Sequence, residues 1–273
     1  MSYREPREVA EVVAQASERK AVTPVSKLVI LGVLAGVYIA FGGMLSIVVS
    51  TGAERVMGFG PSRFLAGSVF SLGLIMVILG GAELFTGNNL MVIGYLSHRI
   101  SLRAMLFNWV VVYAANFLGS LLIVVLVYGA GLLSLGGGRV AVVAAGIAGD
   151  KIGLGFTVAV VRGIGANWLV CAAVWLAAGG KSNLDRILGI YFPVMAFVAL
   201  GLEHSVGNMF LVPIGIIAAH SPGVAGASEL TWGGFLFNNL LPVTIGNIIG
   251  GAGLVGAAYW YVYRYPRPVK RDG

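Results

Sequence analysis

The chain has 273 residues, of which 58% are hydrophobic and 11% charged, with a mean hydropathy of +0.91 and a formal net charge of +7. A soluble domain carries about 25% charged residues, so water is excluded as the main solvent of this fold. The single cysteine, Cys171, excludes an internal disulfide framework or a cysteine-rich metal site, and the basic residues, gathered in connections and tails, exclude a nucleic-acid stripe.

In chain order, residues 1–26 mix acids and bases before the first apolar run, which predicts an amphipathic N-terminal arm and not a cleaved signal peptide. A bilayer core of about 30 Å takes a helix of about 20 apolar residues. Helices are predicted over 27–51, 62–97, 105–132, 155–179, 187–219 and 232–263, forming a six-helix transmembrane domain over 27–263 and leaving a basic tail over 264–273. The second and fifth are too long for one straight span, and each contains a polar, glycine-bearing interruption. Both are therefore expected to be broken. Most of the 18 Lys and Arg fall in the arm, the second and fourth connections and the tail, against Arg55, Arg63, Arg139 and Lys151 on the opposite side and Arg162 inside the fourth span. The side rich in Lys and Arg is the cytoplasmic one. Both termini of this multi-pass cell-membrane protein are expected there.

The two halves echo each other. Glu83-Leu-Phe-Thr-Gly87-Asn88 answers Glu203-His-Ser-Val-Gly207-Asn208, and Asn116-Phe-Leu-Gly119 answers Asn247-Ile-Ile-Gly250. Three spans per half is an odd number, so the second copy must enter the membrane inverted, giving an aquaporin-like 3+3 repeat in an all-α membrane protein. A helix break at membrane depth persists only where protein or a water-filled path satisfies the freed backbone, and an ionisable residue there points to function. Two readings stand for Glu83 and Glu203: part of a solute path, or acceptors for the broken backbone. His204, unlike His98 and His220, lies far from a span end. It is either a proton-handling group tuned by burial and its neighbouring carboxylate or a neutral ring bonded to backbone. Asn167 and Asn247 either line the path or tie helices together.

GGAELFTGNN (80–89), GANWLVC (165–171), LEHSVGNMFLVPIG (202–215) and TIGNIIGG (244–251) resemble the signature segments of the formate/nitrite transporter family, in order and over about 27 to 263. The resemblance implies a homopentamer in the lipid bilayer, each protomer holding its own pore for formate, nitrite or hydrosulfide. It implies constrictions at Phe70, Leu74, Leu84, Phe85 and Phe197, and a substrate path along His204, Glu203, Thr86, Asn167, Asn208 and Asn247. Lys151 is the expected anion attractor at the outer mouth. Protons are expected to move with formate through the central histidine. The continuation Gly87-Asn88-Asn89 departs from the hydroxyl-rich one of some formate channels, which leaves nitrite or hydrosulfide as alternatives. A neutral-solute channel of the aquaporin type would share the repeat, but its Asn-Pro-Ala signature is missing, since no Asn-Pro dipeptide occurs. An enzyme is not expected: one intramembrane His and one Cys provide neither metal nor haem ligation, and no cofactor is implied.

Overall fold

A computed structural model describes residues 3–224 and 230–264. Among them the elements are helical throughout, apart from one isolated bridge between Tyr3 and Gly180. In order they are α1 (Pro6–Ala21), α2 (Val25–Ser50), short α3 (Ala53–Met57), α4 (Phe59–Gly80), α5 (Phe85–Asn88), α6 (Val92–Leu96), α7 (Leu102–Gly129), α8 (Arg139–Ile152), α9 (Phe156–Gly179), α10 (Asn183–Ala199) and α11 (Ser205–Ala218). A final helix, α12 (Gly234–Tyr263), contains two π-helical stretches. Five of these, α2, α4, α7, α9 and α12, are long and apolar enough to cross a membrane. Their outer faces fit lipid: Val110, Val125, Val161 and Phe237 are 69%, 69%, 59% and 68% exposed. Water would not tolerate that surface on so many helices.

Close helix contact depends on glycine. A Cβ on Gly119 of α7 would collide with the Val33 carbonyl of α2, and one on Gly246 of α12 with the Val160 carbonyl of α9. Lipid supplies no hydrophobic drive between helices, so backbone approach and dispersion hold such pairs together.

The structure departs from the sequence expectation at several places. Residues 139–152, read as connection, form α8, an Ala- and Gly-rich helix packed on α11. The third helix starts at Leu102, three residues before its predicted 105, because the Ser101 hydroxyl caps it by accepting from the Ala104 N–H at 3.1 Å. The fifth apolar stretch begins at Asn183, not 187, because Ser182 and Asp185 form a reciprocal capping box at 3.1 and 3.0 Å. Of the basic tail only Arg264 lies within the described residues. It donates to Ser97 at 3.0 Å and pairs with Glu11 of α1. Arg99 also donates to Glu11, at 2.8 and 3.0 Å, and these bonds hold the Glu11 carboxyl at a pKa of about 2, well below the usual carboxylate range. The arm is thus tied to two other segments.

Gly119→Ala is expected to lower the stability of the solubilised protein by about 1–3 kcal/mol through overpacking. Gly129→Ala, where a Cβ meets nothing within 4 Å, should leave it unchanged. Thermal unfolding in detergent, followed by a fluorescent thiol probe, checks both.

Candidate functional site

Helix α4 stops at Gly80, and the chain runs non-helically to Leu84 before α5; α10 stops at Ala199 and runs to His204 before α11. The two breaks have the same geometry. Gly81 and Gly201 both take φ +72°, a left-handed turn that favours glycine. Leu84 and His204 are both extended, at φ −110°, ψ 124° and φ −114°, ψ 115°. Each break hands its next amide to a neighbouring helix: the Glu83 N–H donates to the Leu31 carbonyl at 3.1 Å, and the Glu203 N–H to the Arg162 carbonyl at 3.3 Å.

Two matching polar clusters satisfy what is left. Asn116 accepts from the Phe85 N–H at 2.9 Å and donates to the carbonyls of Gly32 and Glu83 at 2.8 and 2.9 Å. Asn247 does the same for Ser205 N–H, Gly163 and Glu203, at 2.9, 2.8 and 3.0 Å. Asn88 bridges Glu83 and Asn108 at 2.7 and 2.8 Å, while Asn208 bridges Glu203 and Asn239 at 2.6 and 2.7 Å. Each glutamate meets one lysine, Lys20 to Glu83 at 2.6 Å and Lys151 to Glu203 at 2.9 Å. Buried carboxylates persist only when paired and hydrogen-bonded, and both are.

The two clusters differ at the ring. His204 is N-cap of α11: its Nδ1 accepts from the Gly207 N–H at 2.9 Å, so in the neutral ring the proton sits on Nε2, which donates to the Thr86 hydroxyl at 2.8 Å. Leu84 occupies the matching cap in the other break. Phe70 and Phe197 meet edge to face at 5.7 Å, and Phe197 lies 5.7 Å from the imidazole. With Leu74, Leu84 and Val194 they enclose about 10 Å³ beside His204, barely room for one water. On the α8 side this neck meets a cavity of about 210 Å³ that includes Lys151, Glu203, Arg63 and Arg162. On the α1 side a smaller cavity of about 100 Å³ is walled by α1, with Lys20 and Asn88.

Most residues singled out from the sequence meet here, with corrections. Phe85 does not line the neck: its ring packs edge-on against Trp109 and Tyr113 at 6.2 and 4.8 Å and borders a separate apolar groove between α7 and α12. Asn208 lines the α8-side cavity and bonds Glu203 and Asn239, Asn247 bonds the second break, and Asn167 donates to Asn89 and the Asn247 carbonyl at 2.7 and 2.6 Å, so each amide also ties helices together. Lys151 is bound to Glu203. The sequence reading missed Lys20, Asn108, Asn239 and the place of Arg63 in the α8-side cavity, and had Asn88 only as the echo of Asn208. Lys20 and Lys151 carry the same spacing as Asn116 and Asn247, a signal that extending the echo toward the N-terminus would have exposed.

Apolar spans, matching non-helical segments and a narrow neck that opens on a polar cavity define an integral membrane transport protein. The chain belongs to the formate/nitrite transporter family, whose profile matches residues 7–261. That is a family of transporters and channels, not of enzymes, and membership displaces the aquaporin-type alternative. The chain is 39% identical to a probable formate transporter of Methanothermobacter thermautotrophicus, covering 96% of this chain and 98% of the relative. It is 38% identical to the formate channel FocA of Escherichia coli K12, covering 94% of each. A solved pentameric formate channel with formate bound superposes with a TM-score of 0.82 at 35% identity, over 88% of this chain and 97% of that one.

Asn247→Ala should strand the Ser205 N–H and two carbonyls in a dry interior, at about 1–3 kcal/mol for each buried group left unpaired. The expected outcome is a large drop in detergent melting temperature. Equal melting of Asn247→Ala and the parent would contradict the assignment.

Proposed function

We propose that this protein carries small monovalent anions of weak acids, formate first, through a pore in each protomer, and that the solute crosses the neck as the neutral acid. The observation that carries this reading is the neck itself: about 10 Å³, walled by Phe70, Leu74, Leu84, Val194 and Phe197, with one imidazole as its polar group. Moving a bare charge into such a site costs tens of kcal/mol in the idealised limit. A neutral acid has no such barrier. Nitrite and hydrosulfide, also conjugate bases of weak acids, are the alternatives.

The proton is handed over at His204. A proton arriving from vestibule water binds Nδ1 and displaces the Gly207 N–H; Nε2 then gives its own proton to the anion, breaking the N–H bond and forming O–H. The ring is left neutral and returns to the capped tautomer by losing the Nδ1 proton and regaining one at Nε2. Protonation is therefore coupled to uncapping α11. Thr86 holds the Nε2 proton until the anion replaces its hydroxyl.

Architecture supports the same reading. The breaks split two spans into α4 with α5–α6 and α10 with α11, giving six spans in a 3+3 inverted repeat. Tyr113 and Thr244, 131 residues apart and equivalent in that repeat, bond to each other at 2.8 Å. The Ser71 hydroxyl donates at 3.2 Å to the carbonyl of Tyr191, its counterpart 120 residues on. Equivalent positions touch only near the axis relating the halves. The channel domain spans 27–263, with the arm and tail in the cytoplasm by the excess of Lys and Arg there, so the α8 side is external. A homopentamer is the assembly, by analogy with the pentameric neighbour.

His204→Asn tests the proposal, because asparagine still caps α11 but does not titrate. Formate uptake into proteoliposomes should fall about a hundredfold, the scale of a lost acid-base group, and lose its pH dependence. Unchanged flux and an unchanged pH profile would refute the hand-over.

A further inference from the structure

We propose that Arg162 is the anion-capture residue of the α8-side mouth, holding a small two-oxygen anion before it meets His204; the inference rests on the transport reading above. Three cations line that cavity, Arg63, Lys151 and Arg162. Two of them are engaged. Lys151 is bound to Glu203 at 2.9 Å, and at 13% side-chain exposure it presents little free charge to the mouth. Arg63 donates from Nη2 and Nε to the carbonyls of Val198 and Ala199 at 2.5 and 3.2 Å, where its charge answers the negative end of α10.

Arg162 stands apart. Among the described residues its side chain makes no hydrogen bond and no ion pair, and Asp150, the other carboxylate on the cavity wall, does not pair with it. It lies in the second turn of α9, exposed, on the wall of that cavity. Only its backbone is used structurally, the carbonyl accepting from the Glu203 N–H at the break. The guanidinium is thus unpaired, on an exposed side chain whose backbone is fixed at the break and which lines the same cavity as His204. Its planar fork matches two oxygens at once, as in formate or nitrite, and an ammonium lacks that fit. The matching position of the other break is Leu31, whose carbonyl plays the same backbone part. Capture is built into one mouth only.

Formate uptake from the α8 side of oriented proteoliposomes, measured as half-saturation and maximal rate, tests this. Arg162→Leu should raise the half-saturation concentration about tenfold, the low end of charge-driven capture, and leave the maximal rate intact because the neck is untouched. Arg162→Lys should recover part of the loss. Arg162→Gln replaces Arg162→Leu if the latter does not reconstitute. Parent-like half-saturation in the neutral variant would overturn the proposal, as would an equal loss for entry from the α1 side. Line broadening of 13C-formate by the solubilised protein separates the two readings: broadening that Arg162→Leu abolishes supports capture even if the parent transports nothing, whereas broadening that survives it overturns capture.

Discussion

No backbone amide or carbonyl can be left to lipid, and this constraint governs everything else in the molecule. The non-helical residues between α4 and α5 and between α10 and α11 free a set of such groups. Asn116 and Asn247 each satisfy three of them from one carboxamide, using the acceptor oxygen for an amide and both N–H bonds for carbonyls. Glutamate, asparagine and lysine complete each cluster. The polar residues in the bilayer interior are therefore first a scaffold, and only their departures from that pattern are available for chemistry.

Those departures are few. His204 stands where the other break has Leu84, and Arg162 where it has Leu31. The imidazole serves both purposes, since one ring nitrogen caps α11 while the other faces Thr86. Binding a proton at Nδ1 costs the cap. In the proposed path this couples the passage of each anion to a small local rearrangement of the break.

The long spans were legible because an apolar run of bilayer length has few other solutions. The second and fifth stretches were too long for one helix, and a helix ends inside each, at Gly80 and Ala199; the echo of Asn116 with Asn247 pointed to equivalent hydrogen bonds. Helix α8 was not, since its Ala- and Gly-rich sequence between two glycine clusters carries a weak pattern and its burial depends on α11. Phe85 was assigned to a constriction by family resemblance alone, and no sequence pattern reports which way its ring turns; its backbone serves Asn116 while its ring goes to Trp109 and Tyr113. Nor does spacing reveal that Lys151 is consumed by Glu203 while Arg162 stays free. Such facts need three dimensions.

The direct test of the central claim is proton movement during formate uptake, read from a pH-sensitive dye sealed inside proteoliposomes while membrane current is recorded. Crossing as the neutral acid predicts internal acidification in step with formate entry and no current attributable to formate. A formate current at a constant internal pH would contradict it.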